Sequence, residues 1–374
     1  MPCGTETLPQ GWALSNGGVT LQDSVSASSS PLQPHGLRRR SPVVVLLLVV
    51  IAFLAAAAAE VAIGPIMIGP VKVVSQTLAY LHGSRSSDAV VMGAIRWPRM
   101  FGAAFVGAGL ASTGAALQAV FRNPMADPGL IGVSSGGSLG AVIVIQLGLA
   151  AANQWWTPLG AFASGLLTVL LIYRIATVSG RTAIYSLLLA GVAVSSFCSA
   201  MVSLLMSLAP LNTMQEMLFW LMGGLDGVTW MSVLMVGTFA VIGFVVYGRY
   251  ARALDILSIG EEQAEGVGVH LQRVKQVMFI TAAFVVGACV SVSGVIAFVG
   301  LIVPHLMRIF IGPSHRWLLP ASALGGAVLV LVSDLVARMA FLPIELNVGI
   351  ITASLGAPFF LYLLRRRDTS MRRR

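Results

Sequence analysis

The sequence predicts an all-α integral membrane protein of ten transmembrane helices, with both termini in the cytosol. Three observations carry this expectation. Hydrophobic residues make up 57% of the chain, and its mean hydropathy is +0.88. Charged residues are only 10%, against about 25% in a soluble domain, so most of the surface faces something other than water. Apolar runs of bilayer length recur along the 374 residues. A hydrocarbon core about 30 Å thick needs roughly 20 apolar residues per helix, which leaves room for roughly eight to twelve spans.

Taken in order, residues 1–41 read as a disordered cytosolic tail, rich in Ser, Gly, Gln and Pro as far as position 37. The stretch RRRSPVVVLLLVVIAFLAAAAAE then imitates a secretory signal. We read it as a retained first helix from Pro42 to about Ile63, because many spans follow and parity then works. Further spans are expected near 97–118, 130–150, 158–178, 186–208, 228–247, 275–293, 295–310, 318–337 and 346–364. The seventh and eighth of the ten are barely separated, around Ser293-Gly294. The transmembrane domain covers 42–367, and a basic tail closes the chain at 368–374.

Basic residues test the topology. A cytosolic start places Arg122, Arg174, Arg181, Arg249, Arg252, Arg273, Lys275, Arg308, Arg316 and the RRR run at 365–367 inside. Lys72, Arg85, Arg96, Arg99 and Arg338 fall outside. That bias follows the positive-inside rule, and so the net charge of +9 points to a membrane rather than to nucleic acid. Gly102, Gly107, Gly109 and Gly114 lie along one expected helix, where missing side chains let backbones approach closely in lipid.

Absences exclude several functions. The only lysines are Lys72 and Lys275, neither after a glycine, so the chain has no GxxxxGK[ST] phosphate loop. Asp334, Glu345, Glu60 and Glu216 fall near expected span ends. Ion-coupled carriers usually hold a carboxylate near the midplane, so a secondary transporter is disfavoured. Asp334 precedes Arg338 by four residues, the spacing of a helical ion pair. No metal-ligand spacing, nucleophile–base pair or paired carboxylates support a membrane-embedded enzyme. Cys198 and Cys289 sit in apolar runs and read as small packers.

Two polar interruptions stand out. FRNPMADPGLIGVSSGG, 121–137, breaks the backbone between two greasy runs. Pro124 and Pro128 remove donors and stop a helix. Asp127 can cap the next one, with Pro128 at its first position. The second interruption, 255–270, contains LSIGEEQAEGVGV. There Ser258 and Glu261 fit a capping box, and Glu261, Glu262 and Glu265 give a short acidic helix that Gly266 and Gly268 stop. A rigid polar helix on the inner face can serve as a handle for a partner.

Together these segments resemble the membrane permeases of type II ABC importers for iron chelates, haem and cobalamin. The resemblance covers roughly 60–367. It rests on IRWPRMFGAAFVGAGLASTGAALQAVFRNPMADPGLIGVSSGG, LLLAGVA at 187–193, FWLMGGLDGVTW at 219–230, LSIGEEQAEGVGV, SGVIAFVGLIVPHLMRIFIGPSHRWLLP and ELNVGIITASLGAPFFLYLLRRR. It implies the type II permease fold in a bacterial inner membrane, and a second copy of the chain enclosing one pathway. It also implies a cytosolic ATPase dimer that binds ATP and Mg, no cofactor or metal in this chain, and a periplasmic binding protein. By the same resemblance Asn123 and Met125 form one half of a cytosolic gate, and Ile184 and Tyr185, where some relatives carry small hydroxyl residues, form the other. Arg96, Arg99 and Arg338 match positions that dock the binding protein. Ser258, Gly260, Glu261, Glu262, Glu265 and Gly268 match the element that couples to the ATPase. The motifs look closest to the haem branch, with ferric siderophore and then cobalamin as alternative cargoes.

Overall fold

The computed structural model describes residues 41–65, 67–178 and 181–371. The tail expected over 1–41 therefore lies outside the described residues except for Ser41, as do 372–374 of the basic C-terminal segment.

The chain is helical almost throughout. In order it forms α1 (Pro42–Ala62), α2 (Pro70–Leu81) and α3 (Ser87–Val90), then a π-helical turn (Val91–Arg96) that runs directly into α4 (Trp97–Val120). A 3-10 turn (Pro128–Ile131) leads to α5 (Val133–Gln146), α6 (Leu149–Ala152) and α7 (Trp156–Ala176). The next connection closes as a short antiparallel ladder, β1 (Thr177–Val178) on β2 (Arg181–Thr182). Then come α8 (Ile184–Leu208), α9 (Leu211–Leu221), α10 (Trp230–Arg249), α11 (Ala251–Ile259), α12 (Glu261–Gly266), α13 (Leu271–Ser293), α14 (Val299–Ile311), α15 (His315–Met339) and α16 (Val348–Met371).

Among the described residues seven helices are long and apolar enough to cross a bilayer, namely α1, α3 to α4 as one unit, α7, α8, α10, α13 and α15. Three shorter apolar helices, in α5, α14 and the first part of α16, bring the set to the ten expected from the sequence. The last of the ten continues to Met371, into the segment read as a tail. α14 is short because the chain between Ser293 and Val299 is not helical. Protein supplies partners at both ends of that irregular stretch: the Gly224 amide donates to the Ser293 carbonyl at 2.9 Å, and the Ile302 amide to the Phe298 carbonyl at 2.9 Å. Non-helical backbone at membrane depth persists where protein supplies its partners.

α4 is the centre of the bundle and α1 its margin. In the most hydrophobic window of each, 78% of residues are buried inside the chain around α4 and only 6% in α1. The composition of α4 explains its place, since α15, α14, α13 and α10 all pack on it. A side-chain carbon at Gly107 would lie 2.2 Å from the Gly326 carbonyl oxygen, and one at Gly114 only 1.9 Å from that of Gly300. The helices therefore touch backbone to backbone, the packing that lipid rewards. The glycines expected to pack along this helix do so, Gly102 against Val228 and Gly109 against Cys289 and Val285.

Candidate functional site

The residues singled out in the sequence gather at the two ends of the bundle. At the inner end, α4 stops at Val120 and Arg122 takes a positive φ of 48°. Asn123 is exposed, and its side-chain oxygen accepts from the Met125 amide at 3.0 Å, so the turn folds on itself. Met125 is half-buried. The Asp127 carboxylate accepts from the Gly129 amide at 2.7 Å, which makes it the cap expected, with Pro128 first. The helix it caps is the 3-10 turn, while α5 starts after Gly132 in the left-handed region at φ 79°. Burial pushes the Asp127 carboxyl above its ordinary range, and the Gly129 bond partly offsets this.

The other half of the inner end is the start of α8, where Ala183 is extended and Ile184 is the first helical residue. Ile184 is half-buried and Tyr185 is 75% exposed. The 3-10 turn leans on this helix, with the Leu130 carbonyl against Gly191. Among the described residues no hydrogen bond joins Asn123 or Met125 to Ile184 or Tyr185.

The segment read as a coupling element is two helices, α11 and α12, broken at Gly260. The expected capping box at Ser258 does not form. Ser258 sits within α11 and its hydroxyl donates back to the Asp255 carbonyl at 2.6 Å, a bond open to hydroxyl residues inside helices. Gly260 takes the capping position instead, and the Gln263 side chain folds so close that any side-chain carbon at 260 would collide with it. The stop is as expected. Gly268, at φ 83°, donates to the Glu265 carbonyl and Val269 to that of Ala264, both at 2.9 Å, a Schellman closure. Glu262, Glu265, Ile259 and Val267 are exposed. Glu261 is half-buried, pairing with Lys275 Nζ at 2.8 Å and Arg122 Nη2 at 3.8 Å. An open recess of about 660 Å³ lies here, lined by Arg122 and residues 259–263 and 265.

α11 is also tied to α15. Asp255 accepts from the His315 amide at 2.7 Å and lies 2.6 Å from His315 Nδ1. Burial alone would push this carboxyl up, but the His315 bonds outweigh it and hold it below the ordinary range. Sixty residues separate the pair, and no local spacing in the sequence signals it.

At the outer end, Arg96, Arg99 and Arg338 converge but do not present an exposed positive patch. Arg96 donates to the Val61 and Ala62 carbonyls at 2.6 and 3.1 Å. Arg99 grips Asp334 with two bonds of 2.9 Å and reaches Asp226 at 2.7 Å and Glu345 at 3.3 Å. Arg338 bonds the Glu60 carboxylate and lies 3.2 Å from Asp334, the four-residue pair expected from the sequence. The side chain of Arg99 is 12% exposed, whereas that of Asp226 is 60% exposed. A guanidinium near the bilayer edge must be matched by carboxylates or carbonyls, and here the chain itself supplies them. Beside this cluster opens a cleft of about 510 Å³ lined by Glu216, Asp226, Asn347, Trp155 and Trp220 among others. Among the described residues no group of three or more His, Cys, Asp or Glu could hold a metal ion.

Comparison with known proteins agrees with this architecture. Residues 42–366 match the FecCD transport family. The chain is 43% identical over 311 residues to the cobalamin import system permease protein BtuC of Halobacterium salinarum, covering 81% of this chain and 82% of that one. It is 38% identical to the hemin transport system permease protein HmuU of Yersinia pestis, covering 82% and 92%. It is 37% identical to the Fe(3+)-citrate import system permease protein YfmD of Bacillus subtilis, covering 75% and 83%. Among solved structures, a metal-chelate-type ABC transporter in an inward-facing conformation superposes with a TM-score of 0.76 at 29% identity, covering 86% of this chain and 99% of that one. With ten apolar helices, an irregular inner turn and a polar helical segment beside it, the chain belongs to the FecCD transport family, the membrane permeases of type II ABC importers.

Proposed function

We propose that this chain and a second copy of it enclose one import pathway across the cytoplasmic membrane, powered by a separate ATPase dimer and fed by a binding protein outside. The observation that carries this reading is the exposed acidic helix α12 on the inner face, with Ile259 and Val267 bared on either side of it. Such a mixed polar and apolar ridge on an otherwise greasy chain suits a soluble partner, and the chain has no phosphate loop of its own.

In this reading Gly260 and Ser258 shape the coupling segment, Gly268 ends it, and Glu262 and Glu265 meet the ATPase. Asn123 and Met125 close the inner end from one side, and Ile184 and Tyr185 from the other. Arg99 docks the binding protein by exchanging the exposed Asp226 and Glu345 for carboxylates of that partner, with Arg96 and Arg338 holding the platform beneath it. Arginine suits such an exchange because its planar fork donates bidentately to one carboxylate after another.

The cargo is a metal chelate, with haem as the first reading. The apolar Ile184 and the exposed ring of Tyr185 would offer a flat apolar ligand a surface to pass over. Cobalamin is the second reading, favoured by the 43% identity to a cobalamin permease. The test is uptake by proteoliposomes holding this chain, its ATPase and its binding protein, comparing haem, cobalamin and a ferric siderophore. Haem accumulating alone supports the first reading, and cobalamin accumulating alone replaces it with the second.

A further inference from the structure

We infer that the first turn of α13 is the bracket that carries movement of the coupling segment to both halves of the inner gate, with Gln272 and Lys275 as its positioning residues. This rests on the reading of the chain as an ATP-coupled permease.

The bracket is visible in three linked contacts. α12 ends at Gly266 and α13 begins at Leu271, so displacement of α12 acts on the first turn of α13 through a short, closed connection. Lys275 on that turn is 2% exposed, and its ammonium lies 2.8 Å from Glu261 on α12. The other oxygen of Glu261 faces Arg122 at 3.8 Å, and Arg122 immediately precedes Asn123. Gln272, three residues before Lys275 and therefore on the same helical face, accepts the Thr182 amide at 3.1 Å. Thr182 is fixed to Thr177 by a hydroxyl contact of 2.9 Å and stands two residues before Ile184. One helical turn thus grips the Asn123 arm through Lys275, Glu261 and Arg122, and the Ile184 arm through Gln272.

Burial makes the Lys275 link stiff. An ammonium removed from water needs a counter-charge held at close range, and Glu261 is the carboxylate that supplies it. Both oxygens of Glu261 are paired within the chain, one to Lys275 and one to Arg122, whereas Glu262 and Glu265 are exposed. The three glutamates therefore divide: two face outward to a partner and one faces inward to the gate.

The experiment uses proteoliposomes with the complete assembly and reads cargo moved per ATP hydrolysed, beside the ATPase rate itself. Lys275→Met and Gln272→Ala should keep ATP hydrolysis and lower the transported amount per ATP at least about fivefold, the low end of coupling effects between sites. Lys275→Arg and Gln272→Glu keep the charge or the acceptor and should retain the wild-type ratio. A purely structural role would lower the amount of assembled complex and leave that ratio untouched. Should Lys275→Met fail to assemble, Gln272→Ala against Gln272→Glu decides the matter alone, since Gln272 is only half-buried. An unchanged ratio in Gln272→Ala overturns the bracket. Absence of ATP-driven uptake by the wild type would instead defeat the parent reading, and the bracket with it.

Discussion

Asp334 shows how a single residue organises the outer end. It is fully buried on α15 and serves two guanidinium groups, those of Arg99 and Arg338. Removing one partner of a buried ion pair leaves an uncompensated charge and costs about 3–5 kcal/mol. Asp334→Leu should therefore destabilise the protein by that order, read as a lowered midpoint in thermal unfolding of the detergent-solubilised chain, whereas Asp226→Ala, at an exposed carboxylate, should barely move it. Asp255 makes a different prediction. Its carboxyl is held below the ordinary range by His315, so its contribution is complete above about pH 4 and is lost as the pH falls through its lowered value. The stability gap between wild type and Asp255→Asn should narrow as the pH falls below about 4. Of these contacts the sequence showed one. Asp334 and Arg338 are a helical turn apart, but Arg99 lies 235 residues from Asp334 and Glu60 lies 278 from Arg338, distances over which no local periodicity speaks.

At the scale of elements, α4 and α15 act as one body because Gly107 and Gly326 meet backbone to backbone. Gly107→Val would drive a side chain into the Gly326 carbonyl, and overpacking of this kind costs about 1–3 kcal/mol. We expect a lower unfolding midpoint for Gly107→Val and little change for Gly248→Val, where no neighbour lies within 4 Å. The ten spans were legible because apolar runs of bilayer length leave few alternatives. Two local details were not. The Ser258–Glu261 spacing fits a capping box, yet the hydroxyl bonds back along its own helix and Gly260 caps instead, since spacing alone cannot tell a hydroxyl that accepts an amide at a helix start from one that donates to a carbonyl inside a helix. α2 also went unread. Val73, Thr77 and Tyr80 form its packed face, Trp97 donating to Thr77 at 2.9 Å, and that face is too short and mixed to announce itself.

The whole molecule joins its two ends through these helices. α15 begins at His315 against α11, on the inner side, and carries Asp334 and Arg338 to the outer cluster; α4 runs beside it from Arg99 to the Asn123 turn. The positive-inside reading agrees with this separation, with Arg122 and Lys275 at one end and Arg96, Arg99 and Arg338 at the other. The sequence did not show that the outer arginines are largely buried, because burial depends on which carboxylates and carbonyls the fold brings to them.

The central claim is that this chain moves cargo only when an ATPase drives it. The most direct measurement is accumulation of cargo by proteoliposomes under two conditions: the full assembly with ATP and no ion gradient, and the permease alone under an imposed proton or sodium gradient. The account predicts accumulation in the first and none in the second. Sustained filling by the permease alone under the ion gradient would contradict it.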